Sequence, residues 1–312
     1  MNRYVFAYVN PDTDGVCCAI AYAELAARTR DECFLPVVWG RINRETQLVL
    51  SRFGVERPSV INALDGDYRV ALVDTHHPQH LPDGLDFDRV VEIIDHHPAG
   101  HPEAFAHADL QNEEVGAAAT LIVERFRAAA LRPSPQVAGL LAAAIISSTL
   151  NLKAPSTSYR DQRALDWLRP VVEISEPFVE EMFVALSDTA GLTTAEVLAA
   201  NYKEFRTGRI TIGIVQVEAI DPTAITRRAD LPEELRRLAE ARPDTAHVFV
   251  SIIGMLAQTT TVIAVHAATR ELLIRSSGMT FTGDVALVPK ILLRKTDFVP
   301  ALVTLGEQEG PW

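Results

Sequence analysis

Over the first 170 positions, short apolar runs alternate with longer amphipathic stretches. The runs "YVFAYV" at 4–9, "CFLPVVWG" at 33–40, "RVALVD" at 69–74 and "VVEIID" at 90–95 are rich in valine, isoleucine and aromatic residues, which predicts strands. Helical periodicity covers 15–30, 42–54 and 116–130. Nearly continuous apolar strands separated by helices predict an α/β domain built on a doubly wound, mostly parallel sheet covered on both faces. Two more helical runs occupy 134–152 and 157–174, and a third, 176–205, is interrupted near Ala190-Gly191. Beyond Arg209 the texture changes to alternating strands at 209–220, 247–256, 259–267 and 270–278 around the charged helix "LPEELRRLAEAR" at 231–242. The expected organisation is a first domain at 1–187, a linker at 188–194 and a smaller mixed α/β domain at 195–312, with "EQEGPW" a loose end.

Three of the four predicted strands of the first domain end at or near acids: Asp12 and Asp14, then Asp74, then Asp95-His96-His97. Ligands of parallel sheets collect at the carboxyl ends of the strands. One aspartate at such a junction is ordinarily a helix cap. Several converging on one sheet edge repel one another unless a cation neutralises them, so the recurrence points to bound metal. Carboxylates mixed with imidazole suit manganese, magnesium, cobalt or ferrous iron rather than a thiolate zinc site. Two ions bridged by a shared carboxylate would activate a water between them and bind phosphoryl oxygens.

Bulk composition narrows the partners. The chain has 312 residues, 48% of them apolar, and a formal charge of −12. That charge opposes general attraction to nucleic acid or anionic membrane, so phosphate chemistry must rest on a few placed cations or metals. Three cysteines form neither a disulfide framework nor a metal-ligand spacing. No run approaches the roughly 20 apolar residues that span a bilayer, and the first ten residues lack the features of a signal peptide. The expectation is a cytoplasmic protein.

The motifs "NPDTD", "ALVDTHH" and "IIDHH" resemble motifs I to III of the DHH phosphoesterase superfamily, and more closely those of the manganese-dependent, family II inorganic pyrophosphatases. The likeness extends through "GAAATLIVERF" and "AAAIISSTLNLKAPSTSYRDQRALDWL" into "GIVQVEAIDP" and "LLRKTDFVPAL", which resemble a DHHA2 domain. The resemblance implies a metal-dependent phosphohydrolase acting on pyrophosphate or a related small phosphoanhydride or phosphoester, with manganese as cofactor ahead of magnesium or cobalt. It makes Asp12 a ligand of one metal, Asp14 of the other, Asp74 the bridge and His96 a further ligand, with Asp95 orienting His96. His97, Lys203, Arg294 and Lys295 fall on phosphate-gripping positions, which implies a site in the cleft between the domains, with Asp12, Asp14, Asp74 and His97 as its catalytic set. A homodimer is likewise implied.

Two positions depart from that pattern: Tyr8 stands in place of a histidine ligand and Ser148 in place of an aspartate ligand, one at each metal. The segment after Asp74 is changed too, to Thr75-His76-His77 followed by His80. Three readings stay open. His76 or His77 turns inward to replace the lost imidazole; or the enzyme has changed its substrate or metal; or hydrolysis is lost and the chain is a phosphate- or nucleotide-binding protein with a degenerate metal site. Elsewhere the duller readings hold. The glycine of "GAAATLIVERF" serves close helix packing rather than a phosphate loop, and His247 and His266 fall in apolar strand patterns as core residues.

Overall fold

A computed structural model describes residues 1–64, 66–97, 100–189, 191–207, 210–255 and 257–309. The chain divides into two compact units, Met1–Ala185 and Leu186–Trp312. Arg209, Leu256, Ala190 and the final 310–312, all touched by the sequence expectations, lie outside the described residues.

In the first unit the strands are β1 (Asn2–Phe6), β2 (Leu35–Trp39), β3 (Ser59–Ile61), β4 (Tyr68–Val73), β5 (Val90–Asp95) and β6 (Asp109–Asn112). They form one six-stranded sheet in the order β3-β2-β1-β4-β5-β6, every pair parallel. The short, polar edge strands β3 and β6 were not legible as strands, since neither carries the buried alternation that marks the central four. The chain runs outward from β1 to β3, then returns to the other side of β1 as β4. That reversal places the carboxyl ends of β1, β4 and β5 side by side, the usual ligand position in such sheets.

The helices of this unit are α1 (Thr13–Arg30), α2 (Arg44–Arg52), α3 (Ala118–Ala128), α4 (Pro135–Ser148), α5 (Tyr159–Leu168) and α6 (Glu176–Ser187), in the last of which the first unit ends. Their buried residues gather in one core with Val5, Ala71, Val73 and Ile94 of the sheet. The alternate residues Phe6, Val70, Leu72 and Ile93 point to the opposite face, as strand geometry requires, and pack under Leu81, Phe87 and Phe105 from short 3-10 turns and loops. Both faces are thus covered, one by helices and the other by turns. α4 is apolar all round and stops at Ser148 rather than reaching 152, because Leu150, Asn151 and Leu152 take left-handed φ of 49°, 53° and 65°.

Buried charge ties these layers together. Glu92 of β5 accepts from the Tyr22 hydroxyl at 2.5 Å and from Arg30 at 2.8 and 3.1 Å, and pairs with Arg125 of α3. Burial pushes its pKa up, but these donors outweigh it and hold it at about 2. At the other end of α3, buried Asp161 accepts from the Gly116 and Ser158 N–H groups at 2.9 and 2.7 Å and from the Thr120 and Ser158 hydroxyls at 2.6 and 2.7 Å. A Cβ on Gly116 would lie 2.5 Å from Thr149 Cγ2, so this glycine does serve close packing.

The second unit comprises α7 (Thr194–Asn201), β7 (Tyr202–Thr207), β8 (Ile210–Ala219), α8 (Thr223–Thr226), α9 (Leu231–Glu240), β9 (Thr245–Gly254), β10 (Thr259–Ile263), α10 (Ala267–Ser277), β11 (Val285–Val288) and α11 (Val299–Glu309). Its sheet, β11-β10-β9-β8-β7, is mixed: only the β8–β9 pair is parallel. Two expectations are corrected. "RELLIRSSG" is the body of helix α10, ended by Gly278 at φ 69°, and Leu272 and Leu273 face the core from it. Residues 202–205 are strand, not helix, because Tyr202–Thr207 pairs along β8. His266 is exposed at the position preceding α10, without a side-chain capping bond, rather than lying in the core, whereas half-buried His247 hydrogen-bonds Thr269 at 3.2 Å. Helix α11 runs through Glu309, so "EQE" of the terminal stretch is helical. Among the described residues no helix is long and apolar enough to cross a membrane.

Two stability predictions follow from the buried carboxylates. Asp161→Ala strands the buried Gly116 N–H and Thr120 hydroxyl, and denaturant melts should record a loss of about 3 kcal/mol. Glu92 has a folded pKa near 2, below the ordinary 4.5, so its ionised form stabilises fully above pH 4.5 and that contribution disappears as pH falls toward 2. The stability advantage of the unmodified protein over Glu92→Gln should therefore shrink across that window in parallel urea titrations.

Candidate metal centre

The end of β1 leads through Tyr8 and Asn10 to Asp12, which caps α1 by accepting from the Gly15 N–H at 3.1 Å. A Cβ on Gly15 would sit 2.6 Å from that of Ala7 and 3.5 Å from Asp74 Oδ2, so glycine lets the first turn of α1 press onto the sheet beside Asp74. Asp74 follows β4 with φ 59°, a left-handed conformation that costs roughly 1 to 3 kcal/mol in a non-glycine residue and clusters at functional sites. Its N–H is held by the Ile94 carbonyl of β5 at 2.8 Å.

Asp74, Asp95, His96 and His97 form a group whose metal-ligating atoms all lie within 4.8 Å of one another. Val115 O accepts from His96 Nδ1 at 2.8 Å, which fixes the ring so that Nε2 faces Asp74 Oδ1 at 3.2 Å. Burial lowers the His96 pKa, but the hydrogen bond and charge of Asp74, with Asp14 and Asp95 behind it, outweigh this and push it up to about 9. Asp95 is fully buried and serves imidazoles on two sides: Oδ1 takes His97 Nδ1 at 2.6 Å and the His96 N–H at 2.7 Å, while Oδ2 takes His76 Nδ1. Burial raises its pKa, yet His97 and His76 hold it well below the usual carboxylate range.

Asp14, buried in the first turn of α1, points at the start of α3, where its Oδ2 and Oδ1 accept from the Ala118 and Ala119 N–H groups at 2.8 and 3.0 Å. A carboxylate thereby caps a helix whose own N-cap residue, Ala117, has no side chain able to do so. Cys18 Sγ reaches Oδ1 at 3.2 Å, and the Ser148 hydroxyl reaches Oδ2 at 3.2 Å. Burial, then Asp74, push the Asp14 pKa up to about 7.

Tyr8 is only 2% exposed, and its hydroxyl lies against Asp12, accepting from the backbone N–H at 3.4 Å and hydrogen-bonding the carboxylate. Burial, with Asp12 and Asp74 nearby, holds it well above the ordinary phenol value, so it is a neutral phenol. His76 turns onto Asp95 rather than toward Asp12; its far nitrogen packs on Gly100, where a Cβ would fall within 1.8 Å. His77 continues a row of rings, 5.4 Å from His76, 5.0 Å from His80 and 6.3 Å from His97. The backbone amides of Ala118 and Ala119 and the Val115 carbonyl, none of them apparent from the sequence, orient Asp14 and His96. Backbone groups carry no residue-type signal, so only the packing of α3 could disclose them.

In the second unit, Lys203 lies on β7 opposite Ile214. Arg294 opens the turn before α11, and its guanidinium donates to the carbonyls of Asn201 at 2.8 Å and Ile214 at 3.2 Å, 5.8 Å from the Phe205 ring. Arg294 thus meets the start of β7 near Lys203, with Lys295 next in sequence.

Residues 2–145 match the DHH family, N-terminal domain, and residues 180–305 match the DHHA2 domain. A Bacillus licheniformis protein named a probable manganese-dependent inorganic pyrophosphatase is 30% identical over 96% of both chains. A Methanothrix thermoacetophila protein named a manganese-dependent inorganic pyrophosphatase is 29% identical, covering 96% of this chain and 97% of that one. The crystal structure of a candidate family II inorganic pyrophosphatase from Methanococcus jannaschii superposes with a TM-score of 0.83 at 28% identity, covering 97% and 98% of the two chains. The chain therefore belongs to the DHH family, as a member whose N-terminal domain is followed by a DHHA2 domain.

Proposed function

We propose that this protein is a divalent-metal-dependent phosphohydrolase that cleaves pyrophosphate or a related small phosphoanhydride or phosphoester, with manganese the preferred ion and magnesium or cobalt its substitutes. The observation that carries the reading is His96: tied to Val115 O through Nδ1, it aims Nε2 at Asp74 across 3.2 Å, inside a buried acidic group. Oxygen and imidazole donors of this kind fit manganese and its neighbours, and the names of the relatives point the same way. A bound ion would supply Lewis acidity toward a phosphoryl oxygen and lower the pKa of a water ligand.

The chain's own residues supply the rest. Asp74 and His96 would hold the ion, and Asp95, accepting from His97 Nδ1, fixes the aim of that ring, whose imidazolium form alone would carry an Nε2–H for a phosphate oxygen. In a protein of net charge −12, Lys203, Arg294 and Lys295 provide the concentrated positive charge that a polyanionic substrate needs.

Phosphate release from pyrophosphate, measured with manganese present, should be abolished by a chelator and restored by the metal. Asp74→Asn should lower kcat by more than about 100-fold, since even partners outside the ligand set contribute 10 to 100-fold. Lys295→Ala should act mainly on KM. Intact pyrophosphate, together with an intact panel of small phosphoanhydrides and phosphoesters, would show instead a binding protein that retains the ligand without turnover.

A further inference from the structure

We propose that this centre holds a single divalent ion per chain, on Asp74 and His96, because Tyr8 has closed the Asp12 side of the site and Ser148 has tied up Asp14. The inference rests on the metal-dependent reading above and sharpens it: the acids are those of a two-ion arrangement, but the donors around them are not.

Asp14 is the clearer case. An ionised carboxylate offers about four acceptor positions. Four protein donors already reach it: the Ala118 N–H and the Ser148 hydroxyl on Oδ2, and the Ala119 N–H and Cys18 Sγ on Oδ1. Asp14 therefore acts first as the cap of α3. An aspartate at 148 would repel Asp14 unless a cation lay between them; the serine instead satisfies Asp14 with a proton and adds no negative charge.

On the other side, the Tyr8 hydroxyl is wedged between the backbone and the carboxylate of Asp12. Asp12 also accepts from Gly15. A neutral phenol that donates to the carboxylate competes with a cation for it, and it brings no imidazole lone pair to replace the one a histidine would offer. His76 does not make up the loss, since its ring is spent on Asp95 and Gly100.

What remains is Asp74 with His96. Their facing atoms, Asp74 Oδ1 and His96 Nε2, are 3.2 Å apart, so one ion would be within reach of both. Asp95, though inside the same group, is committed to three donors from His76, His96 and His97.

The test is a metal count on the full-length protein, stripped with chelator, dialysed against manganese and read by elemental analysis together with electron paramagnetic resonance. The unmodified protein should retain one equivalent with the six-line signal of an isolated Mn²⁺. Tyr8→His should raise the count to two and give an exchange-coupled signal. Ser148→Asp should leave the count at one but tighten binding about 10-fold or more. Two equivalents in the unmodified protein would overturn the single-ion inference while leaving phosphohydrolase activity untouched, because pyrophosphate cleavage is assayed separately. No retained manganese would overturn it as well. Should Tyr8→His fail to fold by circular dichroism, unchanged affinity in Ser148→Asp would still count against the proposal.

Discussion

Mutual repulsion among carboxylates is the constraint that organises the first unit. A parallel sheet with its reversal between β1 and β4 delivers Asp12, Asp14, Asp74 and Asp95 to one edge, and three of these four are almost wholly buried. Buried charges of one sign are tolerable only when each is answered by donors or by opposite charge. Each acid has a distinct answer: helix amides for Asp14, imidazoles for Asp95, the His96 ring for Asp74, and a helix amide with a phenol for Asp12.

These answers carry structural weight beyond the site. Capping by Asp14 joins α1 to α3, residues 104 and 105 positions apart in the chain. Asp161 fastens the same end of α3 to α5, and Glu92 fastens α1 and α3 to β5. The helical layer is thus pinned at both ends of the sheet by buried carboxylates.

The two departures from the family pattern acquire a common meaning in this light. Tyr8 and Ser148 lie in different elements and look unrelated as letters. In the fold, each places a hydroxyl on the acid next to it. A hydroxyl calms a carboxylate without a metal, so both substitutions push the balance from ionic toward hydrogen-bonded compensation.

Much of this was legible in one dimension. Strand and helix alternation, the acids at successive strand ends and the change of texture after the first domain follow from period and composition, because burial on a sheet face imposes period two and a helix stripe imposes period 3.6. Those same rules misread "RELLIRSSG", whose three apolar and three charged residues suit either period until packing decides, and they passed over β3 and β6, whose edge positions leave too little buried surface to mark them. By itself the sequence determined which acids and histidines were available at the sheet edge. Only the tertiary structure decided what each one faces: Asp14 toward amides of α3, His76 toward Asp95 rather than inward, Ser148 onto Asp14. Such contacts join residues 19 to 134 positions apart, and their partners are set by how loops and helices dock on the sheet, which no local periodicity encodes.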